Sequence, residues 1–211
     1  MSLIGGGIRS ALSVSAAYSA AQALVGSARA NAVLLDQYAR PRAGERVLDI
    51  GCGPADILKA MPEGVDYLGL DENPRYIRSA RRKFGHRGRF HCVDVREASL
   101  DGEADFDLAM AVGVLHHLDD DGARALVELA LSALAEGGRF VTRDSAIEPG
   151  QHRAARWLIE QDRGSDVRTP EGYQELVRQR FRDVDVTVRH DLLRVPYTHA
   201  ILECRRGSHR G

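Results

Sequence analysis

Between residues 46 and 145 short apolar runs alternate with amphipathic ones, and that alternation leaves few folds open. "RVLDIG" (46–51), "VDYLGLD" (65–71), "RFHCVDV" (89–95), "DFDLAMAVGVL" (105–115) and "GRFVTRDS" (138–145) read as strands. They are apolar almost throughout, the mark of strands buried on both faces and joined by crossover helices. "ENPRYIRSARRKF" opens a helix in which Pro74 suits an early position. "DDDGARALVELALSALAEGG" (119–138) is a helix with acids at its start and glycine at its end. After Pro149 the rhythm changes. "QHRAARWLIEQD" (151–162) and "TPEGYQELVRQRF" (169–181) read as helices, with Thr169 at a cap and Pro170 in the first position. "DVDVTVRH" (183–190) and "YTHAILEC" (197–204) read as an antiparallel hairpin at one edge of the sheet. Ahead of the first strand, apolar residues recur at helical spacing from Ile8 through Leu24 to Tyr38. They predict helices over the site or over the sheet edge.

The chemistry is expected where "ERVLDIGCGPADIL" (45–58) runs from strand through a glycine-rich turn into a helix start. Such a turn, at the carboxyl edge of a parallel sheet, is a ligand site by topology. A phosphate loop would need G-x-x-x-x-G-K-[ST], which is missing. A dinucleotide fingerprint would need a third glycine where Asp56 stands, and Asp49 adds a second carboxylate just before the turn. Two negative charges suit a pyrophosphate poorly. They suit S-adenosylmethionine, a nucleoside with a cationic sulfonium, an ammonium group and no phosphate. Asp71 comes 22 residues after Asp49, at a strand end where an acid reaches ribose hydroxyls. Asp94 is expected to end the third strand, within reach of an adenine amino group.

These segments resemble a known family. "VLDIGCGPADIL", "YLGLDENPRYI", "FHCVDV", "FDLAMAVGVLHHLDD" and "LSALAEGGRFVTRDS" are similar, in order, to motifs of the class I S-adenosylmethionine-dependent methyltransferases, over about residues 40–145. The resemblance implies a Rossmann-like, doubly wound α/β sheet of seven strands, mostly parallel with one antiparallel strand at the edge region. It divides the chain into an N-terminal helical cap (1–40) and a methyltransferase domain (41–205), with an acceptor-pocket insertion at about 148–175. By the same resemblance Asp49, Gly51, Cys52 and Gly53 hold the methionine end, and Asp71 holds the ribose with Glu72 and Asn73 beside it. Asp94 and Val95 meet the adenine, and Ala111 and Val112 line the transfer channel. One departure is Ala55, where the family usually carries glycine.

On the acceptor side, His116 and His117 are adjacent and point about 100° apart on a helix, so they do not face one atom. One of them, or Asp144 at the end of the fifth strand, is the candidate catalytic group, and a capping or packing role is the alternative for each. Trp157, Asp162, Arg163, Arg168 and Tyr173 would suit a flat or anionic acceptor, or a solvated helix face. Tyr18 and Arg29 are candidates to close over the cofactor. Tyr197 and His199 read as sheet residues.

Composition narrows the class. A formal net charge of −1 provides no field toward nucleic acid or an anionic membrane, and no apolar run is long enough to span one. Three cysteines without close pairing, and no zinc spacing, suggest a reducing cytoplasm and no metal. "SARA" (27–30) imitates a cleavage site, but Ser and Tyr interrupt the apolar stretch before it, so no signal peptide is expected. The tail "RRGSHRG" is expected to be frayed. A small-molecule acceptor is the leading expectation. RNA methylation, through the arginine clusters at 78–89 and 178–182, and a non-catalytic cofactor-binding scaffold are the rivals. Oligomeric state is not legible.

Overall fold

The computed structural model describes residues 26–100, 102–161 and 166–207. Seven strands form one sheet: β1 (Arg46–Ile50), β2 (Asp66–Asp71), β3 (Gly88–Cys92), β4 (Phe106–Val112), β5 (Leu134–Ser145), β6 (Asp183–Arg189) and β7 (His199–Arg205). Their order is β3-β2-β1-β4-β5-β7-β6. β1 to β5 pair in parallel, and β7 runs antiparallel between β5 and β6, one place in from the rim.

Side-chain alternation splits the core into two layers. Leu48, Ile50, Leu68, Leu70, Phe140 and Leu202 face one side. There α3 (Asp120–Ala133) and α5 (Pro170–Arg178) cover the sheet. Val47, Tyr67, Leu108, Met110, Val141 and Ile201 face the other. That side is covered by α1 (Ser27–Val33), its π-helical continuation (Leu34–Ala39) and α2 (Pro74–Phe84). With helices on both faces the middle strands have no wet side, which is why β4 buries Leu108 through Ala111 completely. α4 (Arg153–Glu160) follows β5.

Local signals set the helix starts. The side chains of Asn73, Asp119 and Thr169 accept hydrogen bonds from the backbone N–H of Arg75, Gly122 and Gly172, so α2, α3 and α5 begin where the capping residues require. Three boundaries differ from expectation. α3 ends at Ala133 rather than near residue 138, because Leu134 turns extended and pairs with Phe106 through a bulge before the regular ladder resumes at Arg139. β3 stops at Cys92, so Asp94 lies in the following loop. After the glycine turn there is only one 3-10 turn, Asp56–Lys59, instead of a helix.

Candidate functional site

The strand order reverses between β1 and β4, and the carboxyl ends of the strands around that point form the crevice in which ligands of such sheets bind. β1 feeds the glycine turn directly into it. Gly51 and Gly53 take positive φ, 76° and 55°. Gly51 and Cys52 donate their N–H groups to Leu70 O at 2.7 and 2.9 Å, pinning the turn to the end of β2. A Cβ on Gly51 would come within 2.4 Å of Val114 Cγ2, so that glycine is required by packing. A Cβ on Gly53 would meet nothing within 4 Å, so that residue faces open space at the crevice. Ala55 also sits in the left-handed region, at φ 57°, which for a residue with a Cβ costs about 1 kcal/mol. Its side chain is buried in the layer beneath α1.

Two carboxylates flank the turn. Asp71 ends β2, and it accepts from Gly53 N–H at 2.9 Å and from Asn73 N–H at 2.8 Å. Burial is the main force raising its pKa, Glu72 adds to it, and the two N–H groups oppose it. Asp49 is buried and accepts from the Tyr67 hydroxyl at 2.6 Å. Burial pushes its pKa up to about 6, with the Tyr67 hydrogen bond opposing and Asp71 adding. The Cys52 thiol is held well above its ordinary pKa by burial and then by these two acids. The turn is therefore strongly anion-lined, suited to a cation and hostile to phosphate.

Asp94 accepts from Arg96 N–H at 2.8 Å, closing its own loop two residues past the end of β3. Val95 packs at the edge of the core beside it. Glu72 is exposed, and its carbonyl receives the Cys92 thiol at 3.4 Å, while Asn73 uses its side chain as the cap of α2. Ala111 is enclosed in the core beneath the crevice and Val112 is half-buried at the end of β4. Arg29 lies on α1 and donates to Asp191 O at 2.9 Å, in the β6–β7 connection. Tyr18, Asp162 and Arg163 lie outside the described residues.

The two histidines separate after β4. His116 is buried, with Nδ1 2.9 Å from Asp144 Oδ1, and its backbone N–H reaches the same oxygen at 3.3 Å. His117 is exposed, its ring 4.1 Å from that of His116. A Cβ on Gly113 would lie 3.7 Å from His116 Cε1, so the imidazole edge borders the turn that leaves β4. The insertion after β5 is tied down by the residues that looked free to meet an acceptor. Arg168 donates to Leu115 O, Leu118 O and Asp120 Oδ1 at 3.0, 3.0 and 2.8 Å, stapling the insertion to the histidine turn. Tyr173 is buried in the core and donates to Ser145 O at 2.9 Å. Trp157 remains exposed.

Sequence reasoning missed Tyr67, the support of Asp49, and gave Arg143 no part. An arginine inside an otherwise apolar strand was the available signal. Among the described residues no three His, Cys, Asp or Glu side chains are grouped to hold a metal, and no helix is long and apolar enough to cross a membrane. A groove of about 270 Å³ lined by Arg139, Asp185 and Glu203 lies at the start of β5, at the other end of the sheet from this crevice.

Comparison with known proteins agrees with the geometry. Residues 47–138 match the family model described as "Methyltransferase domain". A ubiquinone biosynthesis O-methyltransferase of Idiomarina loihiensis is 30% identical over 101 residues, 46% of this chain and 41% of the relative. One from Bordetella avium is 29% identical over 102 residues, again 46% of this chain and 41% of the relative. The chain thus spans less than half the length of these curated relatives. Among solved structures, human N-acetylserotonin methyltransferase in complex with S-adenosylmethionine superposes with a TM-score of 0.67 at 20% identity, over 94% of this chain and 56% of the other. A TehB-like S-adenosylmethionine-dependent methyltransferase from Corynebacterium glutamicum superposes at 0.61 with 21% identity, over 84% of this chain and 88% of the other. These structures share the fold. The strand order and the acid-flanked glycine turn thus belong to a segment, residues 47–138, that is similar to a methyltransferase domain.

Proposed function

We propose that this chain transfers a methyl group from S-adenosylmethionine to a small-molecule acceptor. The observation that carries the reading is the Asp71 carboxylate at the tip of β2, 2.9 Å from the N–H of a Gly53 whose Cβ side is open. Each Asp71 oxygen keeps a lone pair for a ribose hydroxyl. Asp49 lies behind the same turn and supplies negative charge toward an ammonium or sulfonium group. Gly51, Cys52 and Gly53 bring backbone close to the methionine end, and Asp94 and Val95 border the adenine end. Glu72 and Asn73 flank the ribose position, and Ala111 and Val112 lie under the transfer position.

When bound, S-adenosylmethionine supplies a methyl group already activated by its sulfonium. The chain then has to orient an acceptor and receive its proton. Asp144 accepts from His116 Nδ1, which fixes the tautomer and makes Nε2 the basic nitrogen of the ring. His116 is thereby the proton acceptor of this scheme and Asp144 its positioning residue. His117 stays at the surface with its ring 4.1 Å from that of His116. The name of the curated relatives, ubiquinone biosynthesis O-methyltransferases, supports a hydroxyl on a quinone-like ring as the group methylated. Three free cysteines support a reducing, cytoplasmic setting.

Isothermal titration tests the reading. Wild-type protein is expected to bind S-adenosylmethionine, and Asp71→Ala to lose about 2 kcal/mol, roughly 30-fold in affinity. No binding, or binding undiminished in the variant, removes the proposal. Transfer of labelled methyl to a panel of phenols and quinols separates an enzyme from a scaffold.

A further inference from the structure

Next to the His116–Asp144 pair, on the α1 side of the sheet, lies a second polar group. Arg143 and Ser145 are two apart on β5, and His199 is the cross-strand partner of Ser145 on β7. Alternation puts all three on one face. They are 9%, 3% and 7% exposed. Arg143 Nη2 donates to Asn31 Oδ1 on α1 at 3.0 Å. Arg143 Nη1, Ser145 Oγ and His199 Nδ1 are all buried and have no hydrogen-bond partner among the described residues. A buried guanidinium satisfied on one side by a neutral amide is an expensive arrangement unless something else compensates it.

The charges around it set the sign. Burial first, and then Arg143, His116 and His190, hold the His199 pKa down at about 3, so this imidazole is neutral. Burial lowers the Arg143 pKa to about 10, against the attraction of Asp144, so the guanidinium stays charged at neutral pH. Asp144 is adjacent in sequence but turns to the opposite face and uses Oδ1 on His116. The α1 face therefore holds one cation and two neutral groups able to donate, a set matched to a single negative charge with more than one oxygen. A phosphate dianion would ask for more charge than this. The position is also right for an acceptor. Arg143 pairs with Val112 in the β4–β5 register, and its carbonyl receives Gly113 N–H at 2.8 Å, at the root of the turn that carries His116.

We propose that Arg143, Ser145 and His199 bind a carboxylate on the methyl acceptor, so that the substrate is an acidic small molecule whose hydroxyl is presented to His116. This deepens the methyltransferase reading and rests on it. The guanidinium takes one carboxylate oxygen through Nη1. The Ser145 hydroxyl and His199 Nδ1–H take the other. The carboxylate end is thereby anchored at β5 and β7, and the reacting end points toward the end of β4.

The test uses the full chain loaded with S-adenosylhomocysteine and titrated with benzoate and, separately, with the isosteric benzamide. Benzoate is expected to bind at least about tenfold more tightly than benzamide. Arg143→Leu is expected to abolish that preference while leaving S-adenosylhomocysteine affinity within a few-fold. Arg143→Lys is expected to keep part of the preference, and Ser145→Ala, which removes only a hydroxyl, to reduce it without unfolding the chain. Equal binding of benzoate and benzamide, no benzoate binding, a preference that survives Arg143→Leu, or one left undiminished by both Arg143→Lys and Ser145→Ala overturns the proposal. So does a roughly tenfold loss of S-adenosylhomocysteine affinity in Arg143→Leu, which would assign the arginine to the cofactor's own carboxylate. Benzoate is also titrated without the nucleoside. Failure of the nucleoside to bind then counts against the methyltransferase reading, and the benzoate preference judges the carboxylate site separately.

Discussion

The two halves of the crevice are built on opposite terms. On the β1–β2 side the functional groups are satisfied within the chain. Asp71 accepts two backbone N–H groups, Asp49 accepts the Tyr67 hydroxyl, and the glycine turn is pinned to Leu70. On the β5–β7 side Thr142, Arg143, Asp144, Ser145 and His199 each keep a buried polar atom without a partner among the described residues. The first half is a cradle preorganised before any ligand arrives. The second, among the described residues, holds buried polarity in reserve at a cost in stability, the arrangement on which the proposed carboxylate site rests.

The sharpest way to break this contrast is a pair of glycine substitutions. Gly51→Ala puts a methyl against Val114 at a positive φ and is expected to destabilise the protein by about 3 kcal/mol. Gly53→Ala meets no atom and is expected to cost about 1 kcal/mol in stability, yet to abolish S-adenosylmethionine binding. Denaturant unfolding and titration calorimetry read the two effects. Equal losses of stability would show that the turn is all scaffold.

A smaller effect is expected at Asp49. Its folded pKa of about 6 lies above the ordinary carboxylate value of about 3.9, so as pH falls through about 6 the folded state takes up a proton that the unfolded state does not. The charged form therefore opposes folding at neutral pH, and that penalty is relieved as pH falls through about 6. Asp49→Asn keeps an acceptor for Tyr67 without the charge. The ligand-free variant is expected to be the more stable protein near neutral pH, by an advantage that narrows by about 1 kcal/mol on acidification to roughly pH 5. The variant is also expected to bind the cationic cofactor more weakly. A stability gap that does not change with pH would mean that Asp49 is not held charged against its environment.

The smallest effect probes the other half. Thr142 Oγ1 is buried on the core face of β5 without a partner among the described residues. Thr142→Val is expected to raise stability by about 1 kcal/mol, seen as a higher unfolding midpoint at an unchanged denaturant slope. A loss of stability would mean that the hydroxyl is supported after all, and that this half is less strained than the contrast requires.

Much of the β1–β2 half was legible because its chemistry is local. Asp49, Gly51 and Gly53 fall within five consecutive positions, and Asp71 follows one crossover later, so spacing alone brings them to one edge. Asp94 was displaced because β3 stops at Cys92, and strand ends depend on pairing as well as on composition. The expected helix after the turn shrank to one 3-10 turn, with Ala55 left-handed just before it. On the acceptor side, adjacency in sequence could not separate His116 from His117. Asp144, 28 positions on, did so by drawing one ring inward. Arg168 and Tyr173 looked available to a ligand until their hydrogen bonds to the histidine turn and to Ser145 were seen.

By itself the chain's pattern of apolar runs, caps and glycines determined a parallel, helix-covered sheet with an acid-lined turn at its carboxyl edge, because each of those features acts over a few residues. Tertiary structure alone decided the reserve of polar groups at β5 and β7. The Arg143–Asn31 bond joins positions 112 apart, and the Ser145–His199 pairing depends on the register of an antiparallel strand inserted from the end of the chain. Register is set by the burial of whole strands, so no short stretch of sequence carries it.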